Sequence, residues 1–156
     1  MDFDPAHASV ISIRLAAALV VGALLGVNRD LHRKAAGLRT VALVSVGSAI
    51  LVLVGIELGG SADSVSRILQ GLVVGVGFLG AGVIVHHESE QRVEGLTTAA
   101  SVWVAAGLGA ACGAGLGTVA LVSMITTMLI LLFGGKVERV IEKLFMKNEP
   151  GKPESR

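Results

Sequence analysis

Residues 68–86 read ILQGLVVGVGFLGAGVIVH, and this stretch decides the fold. Gly71, Gly75, Gly77, Gly80 and Gly82 stand among aliphatic residues, with Arg67 and Gln70 at one end and His86 at the other. A helix of that length is roughly 28 Å long, about the hydrocarbon thickness of a bilayer. The stretch predicts a membrane-spanning helix. Helical geometry puts Gly71, Gly75 and Gly82 near one face, and Gly77, Gly80 and Ala81 on another. Strips of small residues let neighbouring backbones approach closely in lipid, so a helix thin on two sides is expected to touch two partners. Glycine is also common in membrane helices for no such reason, which is the plain alternative.

The rest of the chain agrees with a membrane protein. It has 156 residues, 53% hydrophobic and 16% charged, and a mean hydropathy of +0.76. That length accommodates one membrane domain. The basic residues do not suggest nucleic acid as a partner. Cys112 is the single cysteine, so no intrachain disulfide is possible. Asp2 and Asp4 precede the first apolar run, and Arg29, Arg33 and Lys34 follow it. This reverses the charge order of a signal peptide and predicts a retained span.

The expected fold class is all-α: five transmembrane helices followed by an amphipathic helix. Spans are predicted at about 9–27, 38–58, 67–86, 96–112 and 116–133, with Gly113, Gly115 and Gly117 breaking an apolar run too long for one crossing. Gly22 and Gly26 in the first span, and Gly109, Gly113 and Gly117 later, repeat an i, i+4 spacing of small residues. Asp63 is a plausible N-cap for the third span. Past Gly134 and Gly135, Val137, Val140, Ile141, Leu144 and Phe145 form one apolar face over 135–147, and Lys136, Arg139, Lys143 and Lys147 suit an anionic lipid surface. Residues 148–156 are expected to be disordered.

Arg29, Arg33, Lys34, Arg39, Arg92 and the basic residues of the C-terminal segment fall on one side of these spans. The other side holds Arg67 and Arg14. The positive-inside rule then puts the N-terminus outside and the C-terminus in the cytoplasm.

Ala36-Gly37-Leu38-Arg39-Thr40 is echoed by Glu94-Gly95-Leu96-Thr97-Thr98, and each opens a helix running in the same direction. Spans one-two and three-four are therefore candidates for an internal repeat. Free N–H groups at two helix starts attract anions, and Arg39, Thr40, Thr97 and Thr98 add a charge and hydroxyls suited to a lipid phosphate or a partner's carboxylate. Capping and the positive-inside bias account for the same residues. At the opposite membrane edge, Arg14, Glu57, Asp63 and Arg67, with Gln70 beside them, are expected to form a charge cluster. His86, His87, Glu88 and Glu90 lack a fixed ligand spacing, so no metal site is expected. No span holds an acid or histidine near its centre, which argues against catalysis and against a proton or cation relay within one subunit. No cofactor is expected.

These stretches resemble the MgtC/SapB family of bacterial inner-membrane proteins. The resemblance rests on Leu25-Gly26-Val27-Asn28-Arg29, Ala36-Gly37-Leu38-Arg39-Thr40, Asp63 with Arg67, residues 75–82 (GVGFLGAG) and residues 95–103 (GLTTAASVW). It implies a five-span inner-membrane protein linked to magnesium limitation, acid stress and survival inside host phagocytes. It also implies a regulator that acts on machines such as the F-type ATP synthase or P-type cation pumps and does not itself transport magnesium. Two features depart from the family pattern. Asn28 stands where a Glu usually precedes the arginine, and asparagine can hydrogen-bond but cannot supply that charge; after the spans only an amphipathic helix and tail are expected in place of a soluble domain. The functional expectation is a non-enzymatic accessory protein whose glycine faces dock against helices of a larger complex. A small homo-oligomeric transporter or channel, for magnesium or another ion, is the alternative. A plainer one is glycine faces that close the chain's own bundle or a homodimer.

Overall fold

Three of the helices approach one another so closely at four glycines that a Cβ there would force a neighbouring helix to shift. The structure, a computed structural model, describes residues 4–87 and 92–146. In chain order it contains α1 (Pro5–Leu31), α2 (Leu38–Glu57), α3 (Ala62–Gly82), the strands β1 (Val85–His87) and β2 (Arg92–Glu94), α4 (Leu96–Gly113) and α5 (Gly117–Met146). All five helices are long and apolar enough to cross a membrane. The chain divides into two units, Met1–Met124 and Ile125–Arg156.

In the first unit, α2 packs between α1 and α4. A Cβ added at Gly22 would lie 2.7 Å from the Ser45 Cβ and 2.9 Å from the Ala42 Cα, and one added at Gly26 would strike the Leu38 backbone. On the other side of α2, Gly109 abuts the Ser45 carbonyl and Gly113 the backbone of Ala49. The i, i+4 pairs of small residues in α1 and α4 thus act on the same helix. Ser45 adds an interhelical hydrogen bond, its Oγ donating to the Ala18 carbonyl at 2.7 Å. Ala18, Ala49, Cys112 and Ala120 form a core of small side chains where α1, α2, α4 and the start of α5 meet. Large aliphatic residues point outward, among them Leu43 and Val74. This is the pattern that lipid permits, because hydrocarbon solvates them as well as a protein interior does.

Helix ends follow local chemistry. Asp4 caps α1, its Oδ1 accepting from the Ala6 N–H at 3.0 Å, with Pro5 in the first turn. The chain leaves α1, α2 and α4 by the same device, in which a left-handed residue closes two hydrogen bonds onto the last turn. In α2, Gly59 (φ +73°) lets the Gly60 N–H reach the Gly55 carbonyl at 3.0 Å. In α4, Gly115 (φ +78°) lets the Leu116 N–H reach the Ala111 carbonyl at 2.9 Å. In α1 the left-handed position is taken by Arg33 (φ +52°), a costly conformation for a residue with a side chain.

The structure corrects several expectations. α3 buries only Val76 and Gly80 of its residues, against α4 and α2. It ends at Gly82 rather than His86, because residues 85–87 pair antiparallel with residues 92–94 as a hairpin, Val85 opposite Glu94. Its N-cap is Ser61, whose Oγ accepts from the Ser64 N–H at 3.4 Å; Asp63 lies in the first turn, where an acid complements the helix dipole. In α5, Gly134 and Gly135 do not interrupt the helix, which continues to Met146 with Val137, Val140, Ile141, Leu144 and Phe145 exposed. Residues 88–91 and 147–156 lie outside the described residues, and with them Glu88, Glu90, Lys147 and the expected disordered tail.

Gly109→Leu is expected to lower the unfolding free energy by about 3 kcal/mol, since the clash is with backbone that cannot turn aside. Gly71→Ala, where nothing lies within 4 Å of the added Cβ, is expected to be neutral or to stabilise by up to about 1 kcal/mol. Loss of helicity on titration with a denaturing detergent measures both.

Candidate functional site

The end of the bundle that carries the α1–α2 connection holds the most unusual side chain. Arg29 lies in the last turn of α1, where the helix dipole favours a cation, yet it is only 4% exposed. Its Nη2 donates to Thr98 Oγ1 at 2.9 Å, and its buried Nε–H has no partner. No ion pair to Arg29 exists among the described residues. A buried guanidinium held by a neutral hydroxyl is costly unless its surroundings fix it well, so this contact joins α1 to the first turn of α4 under strong constraint.

The neighbouring residues follow from the same geometry. Asn28 is also buried, and its carbonyl accepts from His32 Nδ1 at 2.7 Å. Asp30 reaches across the connection, its Oδ2 accepting the Leu38 N–H at 2.9 Å, and thereby caps α2. A Cβ at Gly37 would collide with that carboxylate, which is why the residue before Leu38 is glycine. At the start of α4 the matching Gly95 adopts φ +93° and its added Cβ would collide with the Val83 carbonyl.

The two echoed segments do open two helices, with Leu38 and Leu96 as first residues. Their polar residues nevertheless part company. Arg39, Thr40 and Thr97 are exposed, whereas Thr98 is 2% exposed and serves Arg29. The α2 start is closed by Asp30, while the N-cap position of α4 is Gly95, which has no side chain to cap with.

The charge cluster expected at the opposite end does not form. Arg14 turns to the α4 terminus, its Nη1 donating to the Gly113 carbonyl at 3.0 Å, and its guanidinium fills the space beside Gly115. Glu57 pairs with His7, Nε2 to Oε2 at 2.8 Å. Asp63, Arg67 and Gln70 are exposed, with no ion pair among the described residues. The His7–Glu57 pair has no signal in the sequence, where nothing links the first turn of α1 to the last of α2. Among the described residues no group of three or more His, Cys, Asp or Glu side chains could hold a metal ion.

On α3, Gly80 faces Ala99 of α4 at 3.6 Å from an added Cβ, while Gly71, Gly75, Gly77 and Gly82 have nothing within 4 Å. Four of the five glycines therefore lie open. Phe78, 83% exposed, stands on the same helix.

A family model described as the MgtC family matches residues 15–140. The chain belongs to the MgtC family. Relatives of this MgtC-family chain include Protein SrpB of Synechococcus elongatus, 40% identical over 83% of the chain and 78% of SrpB. Protein MgtC of Salmonella typhimurium is 46% identical over 66% of the chain but only 43% of its own length. An uncharacterised protein of Haemophilus influenzae is 33% identical over 90% of the chain and 62% of its own length. The chain thus spans less than two thirds of two of these relatives. No solved structure matches. Membership and the five apolar helices together make the chain a multi-pass membrane protein.

Thr98→Val is expected to destabilise the protein by about 1–3 kcal/mol, because it leaves the buried Arg29 without its acceptor. Thr97→Val, at an exposed position one residue earlier, is expected to have no measurable effect. Thermal unfolding in detergent distinguishes the two.

Proposed function

We propose that the protein is a non-enzymatic membrane regulator that acts by packing α3 against helices of a larger membrane complex. One observation carries this reading: Gly71, Gly75, Gly77 and Gly82 are open, although glycines of the same spacing in α1 and α4 are filled by neighbouring backbone. Within this chain the small residues that build the fold are therefore distinct from those that remain for a partner. Gly71, Gly75 and Gly82 share a face roughly 100° or more from Val76, the residue that seats α3 on the bundle. Close backbone approach along such a face gains dispersion contact that bulkier helices cannot make.

Membership of the MgtC family supports a role in adaptation to magnesium limitation, acid stress or life inside a host cell. Subunits of the F-type ATP synthase or of P-type cation pumps are the partners that this reading favours. The protein would lie in the bacterial inner membrane with its C-terminus in the cytoplasm, as the distribution of Lys and Arg supports.

Gly75→Leu tests the proposal, because it alters the open face without touching the core. Crosslinking and co-purification from membranes grown in low magnesium, read by mass spectrometry, are expected to recover pump or synthase subunits with the parent protein and not with Gly75→Leu. The variant is expected to unfold at the parent's temperature. Equal recovery with both proteins would sink the proposal. Recovery of a homo-oligomer alone, with ion flux in liposomes, would replace it by a transporter.

A further inference from the structure

An open groove of about 1000 Å³ runs between α1 and α2, lined wholly by those two helices. Leu15, Ala16 and Ala23 on α1 and Ala42 and Val46 on α2 form its apolar walls, and Arg39 is the single charged residue that lines it. We propose that this groove holds one anionic phospholipid, with acyl chains along α1 and α2 and phosphate on Arg39.

The dimensions single out a lipid. The two walls are offset along the bundle, since Gly26 meets Leu38 and Gly22 meets Ala42 and Ser45, so from the level of Leu38 to that of Leu15 the groove extends roughly 16 Å. The hydrocarbon depth of one leaflet is about 15 Å, half of the bilayer core. The groove therefore starts at the membrane surface, where α2 begins, and closes near the midplane. A spanning helix of a second copy would need the whole thickness, whereas acyl chains end where the groove does. Its volume is at the upper end of the range for small-molecule sites, ample for more than one chain.

Charge at the open end points to an anion. Arg39 is exposed and makes no hydrogen bond or ion pair with a described residue. Arg33 and Lys34 are exposed in the same connection. Asp30, the only acid between Asn28 and Thr40, accepts the Leu38 N–H and makes no ion pair with Arg39. A headgroup phosphate at this level would meet a cation at the N-terminal turn of α2. No α3 residue lines the groove, so the site is independent of docking through α3.

The full chain in a neutral detergent is offered phosphatidylglycerol and phosphatidylcholine of identical acyl composition, and retained lipid is read by native mass spectrometry. One phosphatidylglycerol per chain is expected, retained about fivefold over phosphatidylcholine, as one basic residue at a membrane surface predicts. Arg39→Gln is expected to abolish that preference while some lipid is still retained. Ala16→Phe, at an exposed position on the wall, is expected to reduce retention of both lipids. Gly75→Leu is expected to leave retention unchanged, which separates this site from the α3 face. Equal retention of the two lipids by the parent chain, or an undiminished preference in Arg39→Gln, would overturn the proposal. So would a lipid-free dimer that Ala16→Phe dissociates, since the groove would then belong to a second copy. Should Ala16→Phe fail to fold, the comparison with Arg39→Gln decides alone.

Discussion

Ser45 is the residue on which the bundle turns. Its hydroxyl bonds the Ala18 carbonyl, its Cβ meets Gly22, and its own carbonyl meets Gly109 on the far side. One residue of α2 is thus in contact with the backbones of two other helices. Lipid supplies no hydrophobic drive to bring helices together, so close contact of this kind has to do so. Any side chain larger than hydrogen at Gly22 or Gly109 pushes a helix away, and the Arg29–Thr98 contact near the membrane surface depends on the spacing that results.

Because α1, α2 and α4 satisfy one another, α3 is attached from outside. It rests on the bundle through a stripe that includes Val76 and Gly80. Such an arrangement separates two uses of one residue type. Glycines of the first kind are consumed by the fold, and those of the second remain on a surface. Composition and spacing describe both kinds identically, so nothing in residues 68–86, the stretch most conspicuous as text, signals that only Val76 and Gly80 of α3 are buried.

Much of the architecture is legible from the chain. Apolar runs of bilayer length mark α1 to α5, and Gly115 marks the break between α4 and α5, because these depend on local composition and backbone freedom. The echo around Gly37 and Gly95 correctly locates two helix starts. What local pattern cannot convey is which way a charged side chain turns. Arg14 and Arg29 each choose a partner about 100 or 70 residues away, a carbonyl in one case and a hydroxyl in the other. Thr40 and Thr98 occupy matching places in the echo, yet only Thr98 is covered. Asp30 is one charge among several in a polar loop of the sequence, and its role as cap of the next helix depends on how tightly Gly37 lets the connection fold.

The separation of Arg29 from Thr98 has a consequence for biosynthesis. The arginine leaves the ribosome 69 residues ahead of the hydroxyl that will hold it, a delay on the order of ten seconds at ordinary rates of translation. Throughout that interval the first span is already available for insertion with a cation and no partner for it. Arg29 lies within the last turn of α1, close enough to the headgroups to wait there. Its burial is therefore a late event in the life of the chain, completed only when the fourth span arrives.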